Sequence, residues 1–151
     1  MTNDNLSLTT SRIFTASLQS VFSAWTDPNG LRSWWEPGGT TVESVQIDLR
    51  AGGVYRIKST APQRNLTIII SGTYQEVTIP HHLLYTWTWQ EADGILLVED
   101  SLVTIEFKTL GTQTQLSLVH TGFPSLLARD RHLDGWQQTL KSFDHYLSTQ
   151  E

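Results

Sequence analysis

The feature that most constrains the fold is a change of hydrophobic period along the chain. Between residues 41 and 121, apolar residues alternate with polar ones, which is the pattern of half-buried strands. From about Leu126 to Leu147 the period becomes helical. Because a helix with one apolar stripe must bury it against another element, we expect the stripe to pack on the sheet. The stripe consists of Leu133, Trp136, Leu140, Phe143 and Leu147.

Short turns separate the alternating segments, which predicts an antiparallel meander. The turns are expected at Gly52-Gly53, Ala92-Asp93-Gly94 and Gly111-Thr112. Gly72 lies inside a strand pattern and indicates a bulge or a close approach of two backbones. With a first strand that runs from Leu6 to about Phe14, the chain should form about six strands.

Two helices are expected between the first strand and the meander. The first has one apolar stripe, with Thr15 or Ser17 available as its N-cap. The second is short, runs from about Pro28 to Trp35, and should end at Pro37-Gly38-Gly39. The stripe of the first helix consists of Leu18, Val21, Phe22 and Trp25.

Composition excludes several classes of protein. The chain has 151 residues, so it fits one domain over residues 1–151. Its formal net charge is −5, and its 10 basic residues are scattered, so we expect no nucleic-acid partner. The longest apolar runs are too short for membrane insertion, and the first residues do not read as a secretory signal. The sequence contains no cysteine, and these observations together favour a cytoplasmic protein.

Motifs for metal or catalytic chemistry are missing from the sequence. His81 and His82 lack the spacing that places two imidazoles on one helix face, so no metal site is expected. There is no nucleophile elbow, phosphate-binding loop or zinc-protease helix. We therefore expect no cofactor and assign no catalytic residue. His120 shares a strand face with Leu116 and Leu118, where it is either a core histidine or an acid–base or ligand-orienting group.

A series of short motifs covers nearly the whole chain in a fixed order. They are Arg12 to Phe22, Trp25-Thr26-Asp27-Pro28, Trp34-Trp35, Arg50-Ala51-Gly52-Gly53, Gly72-Thr73-Tyr74, Tyr85-Thr86-Trp87, His120-Thr121-Gly122-Phe123 and Gly135-Trp136. Their order and spacing resemble those of proteins in the AHSA-like branch of the START-like, or SRPBCC, superfamily. The resemblance implies an α+β helix-grip fold, in which a curved antiparallel sheet wraps around a long C-terminal helix over a largely apolar pocket.

Large aromatic side chains should line that pocket, although Trp34 and Trp35 cannot both be assigned to it from the sequence. Glycine within a helix is unfavourable, so Gly135 suggests a close approach of helix to sheet that lodges Trp136 inside. The expected lining consists of Trp34, Trp35, Tyr55, Ile57, Tyr85, Trp87, Phe107, His120, Trp136, Leu140 and Phe143.

Three functions fit these features. The first is binding of a small apolar or amphipathic molecule in the cavity. The second is a chaperone-related protein-interaction module. A broad exposed apolar patch away from the cavity mouth would favour this function. The third is an enzyme of the cyclase or hydratase type, in which His120, Tyr55 or Tyr85 would supply a proton inside the cavity. A buried polar residue with a perturbed titration would favour the third.

Overall fold

A curved antiparallel sheet dominates the computed structural model, which describes residues 6–91 and 96–150; within them the sheet has seven strands. Six strands form the meander, and the N-terminal strand pairs with the last of them, so Ser7 faces Thr121. The predicted turn at Ala92-Asp93-Gly94 lies outside the described residues. The strands are β1 (Ser7–Phe14), β2 (Thr41–Ile47), β3 (Val54–Ala61), β4 (Leu66–Thr78), β5 (His82–Glu91), β6 (Leu96–Leu110) and β7 (Gln113–Thr121), in the order β1-β7-β6-β5-β4-β3-β2.

Two short helices connect β1 to β2, namely α1 (Leu18–Thr26) and α2 (Pro28–Trp34). Ser17 is the N-cap of α1, because its Oγ accepts a hydrogen bond from the Ser20 amide at 3.1 Å. Asp27 ends α1 and caps α2 through the Gly30 amide. A short 3₁₀ helix, Pro37–Gly39, follows α2 where the sequence predicts only the end of that helix.

Gly72 marks a close approach of neighbouring strands, as the sequence predicts. Tyr55 on β3 is its register partner, and the Tyr55 hydroxyl crosses β4 to donate a hydrogen bond to the Thr86 carbonyl on β5 at 2.6 Å. A Cβ atom at Gly72 would collide with that carbonyl oxygen and would lie 2.8 Å from Cε1 of Tyr55. Only glycine leaves room for this crossing.

The long helix α3 (Leu126–Ser148) lies on the sheet and buries its apolar stripe. Phe143 packs edge-on against Phe14 of β1, with ring centroids 5.1 Å apart. On the same side, the Arg12 guanidinium of β1 contacts the Asp144 carboxylate at 2.8 Å. The α+β helix-grip architecture predicted from the sequence is therefore confirmed. None of the helices in the described ranges has the length and apolar character needed to cross a membrane.

Candidate functional site

A cavity of about 560 Å³ lies between α3, strands β4 and β5, and the segment after α2. Buried residues form its inner wall, and exposed residues of α3 and of the β3–β4 connection form its mouth. It is lined by Trp35, Pro37, Arg64, Leu66, Ile68, Trp87, Trp89, Glu91, Ser125, Leu127, Ala128, Arg131, His132, Asp134, Gly135, Trp136, Gln138 and Thr139.

Three indole rings from three different elements form the inner wall. Trp35 follows α2, Trp87 is on β5, and Trp136 is on α3. The ring centroids of Trp87 and Trp136 are 4.9 Å apart, and Trp35 lies 6.1 and 5.9 Å from them. Because these rings pack on one another, they give the wall a fixed, largely apolar surface.

The position of Trp136 is set by a chain of hydrogen bonds behind it. Its indole N–H donates to Nδ1 of His120 at 3.0 Å. An indole N–H can only donate, so His120 carries its proton on Nε2 and donates to Ser101 Oγ at 2.8 Å. Ser101 in turn donates to the Trp87 carbonyl at 2.8 Å. These hydrogen bonds thereby fix two residues of the inner wall, Trp87 and Trp136, relative to each other.

His132 is the polar wall residue that the sequence reasoning missed. Its Nδ1–H donates to the Ala128 carbonyl at 3.0 Å, and its Nε2 accepts from the Trp87 indole at 3.2 Å. Burial lowers the pKa of His132 to about 4, against the opposing effect of the Ala128 hydrogen bond. One signal in the sequence points to it, since His132 precedes Trp136 by four residues and therefore shares its helix face.

The structure brings three of the eleven predicted lining residues to the cavity and leaves eight in the packed core. Trp35, rather than Trp34, lines the cavity. The physical reason is that α1 fills the other half of the concave face, where Phe22 packs on Phe107 with ring centroids 5.1 Å apart and Trp25 packs on Phe143 at 5.2 Å. The eight core residues are Trp34, Tyr55, Ile57, Tyr85, Phe107, His120, Leu140 and Phe143.

The prediction for Gly135 is wrong, because α3 does not approach the sheet closely at this residue. Gly135 is exposed at the cavity mouth, and a Cβ atom built on it would meet no atom within 4 Å beyond its chain neighbours and the adjacent helix backbone. The glycine therefore leaves space in the mouth. Trp136 beside it is nevertheless buried, as the sequence predicts.

Among the residues that the structure describes, the geometry gives no support for metal binding. No group of three or more potential ligand side chains with metal-binding geometry occurs among the described residues. The ring nitrogens of His82 both contact carboxylates, those of Glu76 at 2.7 Å and Glu106 at 2.6 Å. Burial opposes charge on His82, but the hydrogen bonds and charges of Glu106 and Glu76 together raise its pKa. The cluster therefore favours a protonated imidazole between two carboxylates on neighbouring strands.

We expect thermal unfolding with and without a strong chelator to give the same midpoint, because no described residues form a ligand set. Differential scanning calorimetry in both buffers measures this directly. A large fall in the midpoint with chelator would overturn the expectation.

Comparison with known proteins agrees with the fold. A crystal structure of a protein from Chromobacterium violaceum is 27% identical, covers 93% of this chain and 96% of that one, and superposes with a TM-score of 0.82. The AHSA1 protein of Silicibacter pomeroyi is 25% identical, with 94% and 97% of the two chains covered and a TM-score of 0.80. The comparison with curated proteins found no significant match. A family model described as "Activator of Hsp90 ATPase homolog 1-like protein" matches residues 15–148, and the chain therefore belongs to the AHSA1 family.

Proposed function

We propose that the chain, over residues 1–151, is one small-molecule binding domain whose ligand is apolar or amphipathic and occupies the cavity. The observation that carries this proposal is the cavity of about 560 Å³ with three indoles in its inner wall. Pockets that enclose small organic ligands have volumes of about 300–1,000 Å³ and mostly apolar walls. Each Å² of apolar ligand surface removed from water contributes about 25 cal/mol. We place this binding in the cytoplasm, consistent with a sequence without cysteine.

The geometry supports binding better than proton-transfer chemistry. Burial lowers the pKa of His120 well below its ordinary value and raises that of Tyr55 and Tyr85, but none of these three side chains lines the cavity. His132 does line it, but both of its ring nitrogens are engaged, with Ala128 and Trp87. No proton donor or acceptor of the expected set is therefore presented to a ligand.

A chaperone-related interaction surface has less support. The exposed large apolar residues of the described ranges lie on separate elements, apart from Leu126 and the adjacent Leu127, which borders the cavity mouth. A broad apolar patch away from the mouth is the feature that would favour a protein partner. The scattered residues are Ile13, Val54, Ile79 and Val119.

The direct test is native mass spectrometry of the protein purified from its own cells, followed by thermal-shift screening of fatty acids, flavonoids, polyketides and sterols. A ligand at about 100 times its Kd stabilises the fold by about 2.7 kcal/mol, which a melting curve resolves easily. We expect a retained molecule or a hit that shifts the melting midpoint. No retained molecule and no shift from any class would overturn the proposal.

Gly135→Trp should abolish that ligand-induced shift while leaving a folded protein, because the new side chain starts from open space at the mouth. The matched control is Gln137→Trp, which places the same side chain on an exposed position of α3 that does not line the cavity. The control should keep the full shift. An undiminished shift in Gly135→Trp would place the ligand elsewhere.

A further inference from the structure

Within the described ranges, the fully buried residues of the cavity lining carry one kind of polar side-chain atom, the indole nitrogen. These residues are Trp35, Pro37, Ile68, Trp87 and Trp136. Trp89, which is partly exposed, adds a fourth indole to the lining. Whether these four N–H groups reach the open space decides whether the inner wall can form hydrogen bonds with a ligand.

Two histidines hold two of these N–H groups away from the cavity. The Trp87 indole donates to Nε2 of His132 at 3.2 Å, and the Trp136 indole donates to Nδ1 of His120 at 3.0 Å. An indole has no other polar atom, so each ring has used its hydrogen-bonding group within the protein. Both rings therefore present carbon atoms to a ligand.

The other two N–H groups are covered by protein. The Nε1 atoms of Trp35 and Trp89 have almost no accessible surface, although both residues line a cavity of about 560 Å³. These nitrogens therefore face protein atoms rather than the open space. Together with Leu66 and Ile68, the four tryptophans make the inner wall a surface that offers a ligand no side-chain hydrogen bond.

Donors and acceptors are instead concentrated at the mouth. Arg64 and Arg131 supply donors there, and Glu91 and Asp134 supply acceptors; all four are exposed or partly exposed. A polar group of the ligand at the mouth keeps contact with such side chains or with water. The same group against the inner wall loses its water and gains no partner, which costs binding free energy.

We propose that the ligand of this cavity carries its polar groups at one end only, and that it binds with an unsubstituted hydrocarbon end against the four indole rings. This inference rests on the proposed function and adds the chemical class of the ligand and its orientation. It favours single-ended amphiphiles, such as long-chain alcohols and acids, over molecules with hydroxyl groups at both ends. His132 is a positioning residue in this site, because it holds the Trp87 N–H away from the ligand.

The test uses 1,2-decanediol and 1,10-decanediol, two uncharged isomers that differ only in the position of one hydroxyl group. Titrations of the full chain followed by tryptophan fluorescence give a Kd for each. We expect 1,2-decanediol to bind about ten- to hundredfold more tightly, because 1,10-decanediol has to bury one hydroxyl group against the inner wall. 1-Decanol, which has no second hydroxyl group, should bind at least as tightly as 1,2-decanediol.

Variants of His132 test its positioning role. His132→Leu removes the acceptor of the Trp87 N–H, which a terminal hydroxyl group can then use, so the ratio of the two Kd values should fall severalfold. His132→Gln supplies an acceptor oxygen again and should restore most of the ratio. His145→Leu changes an exposed residue of α3 outside this cavity and should keep the wild-type ratio. Because every protein is titrated with the same two isomers, their different partition from water cancels between variants.

The outcomes separate this inference from the proposed function. Equal binding of the two isomers to the wild-type protein would overturn the inference and leave the proposed function standing. A wild-type ratio in His132→Leu would overturn the role assigned to His132. Failure of all three probes to bind would also overturn the inference, and the screen of the other ligand classes would then decide the proposed function.

Discussion

Gly72→Ala is expected to destabilise the protein by about 3 kcal/mol or more, or to prevent folding. The added methyl group would collide with the Thr86 carbonyl oxygen on β5 and would press on the Tyr55 ring, which crosses β4 at this point. Neither obstacle can move cheaply, because one is backbone in the centre of the sheet and the other is a buried ring. Urea unfolding followed by circular dichroism gives the free energy directly.

The matched control is the same substitution at Gly135. Beyond its chain neighbours and the adjacent helix backbone, no atom lies within 4 Å of a Cβ at this position, which is helical. Alanine is favoured over glycine in a helix by about 0.5–1 kcal/mol, so Gly135→Ala should raise stability. Wild-type stability in Gly72→Ala would show that the strands can separate at no cost, and would contradict the close approach.

The period of the apolar residues is sufficient to predict the framework of this fold. The stripe from Trp136 to Leu147 predicts which face of α3 is buried, and the alternation at Leu116, Leu118 and His120 predicts the inward face of β7. Both predictions depend only on the local geometry of helices and strands. They hold because the concave face of the sheet offers the helix one surface to cover.

The position of the cavity under that helix could not be predicted in the same way. Inward-facing residues such as Tyr55, Phe107 and Phe143 have the same pattern as Trp87 and Trp136, yet they are covered by other core side chains. Whether an inward residue lines a cavity depends on what fills the space opposite it. Here that is decided by where α1 and α2 lie, which is a tertiary property with no period of its own.

Acid should destabilise the protein steeply between about pH 6.5 and pH 4, because His132 stays neutral in the fold over this range. Burial lowers its folded-state pKa to about 4, whereas an unfolded histidine has a pKa of about 6.5. Between these values the unfolded state binds the extra proton, so the free energy of unfolding falls as the pH falls. The full shift corresponds to about 3 kcal/mol. Burial of His120 acts with the same sign.

His82 has the opposite sign but acts in a different range. Its pKa is raised by Glu76 and Glu106 against the effect of burial, so its stabilisation is complete below the unfolded pKa of about 6.5 and is lost as the pH rises through the folded value. While both carboxylates stay ionised, His82 therefore adds no slope in the acid window. The two effects together place the highest stability near neutral pH.

His132→Gln tests this account, because glutamine offers the Trp87 indole an acceptor oxygen and cannot take up a proton. The slope of unfolding free energy against pH between 4 and 6.5 should fall by up to about 1.4 kcal/mol per pH unit, the value for one proton. His145→Gln changes an exposed histidine of the same helix and should retain the wild-type slope. If urea titrations at several pH values give His132→Gln the wild-type slope, the acid sensitivity arises from other groups and His132 is not held neutral in the cavity wall.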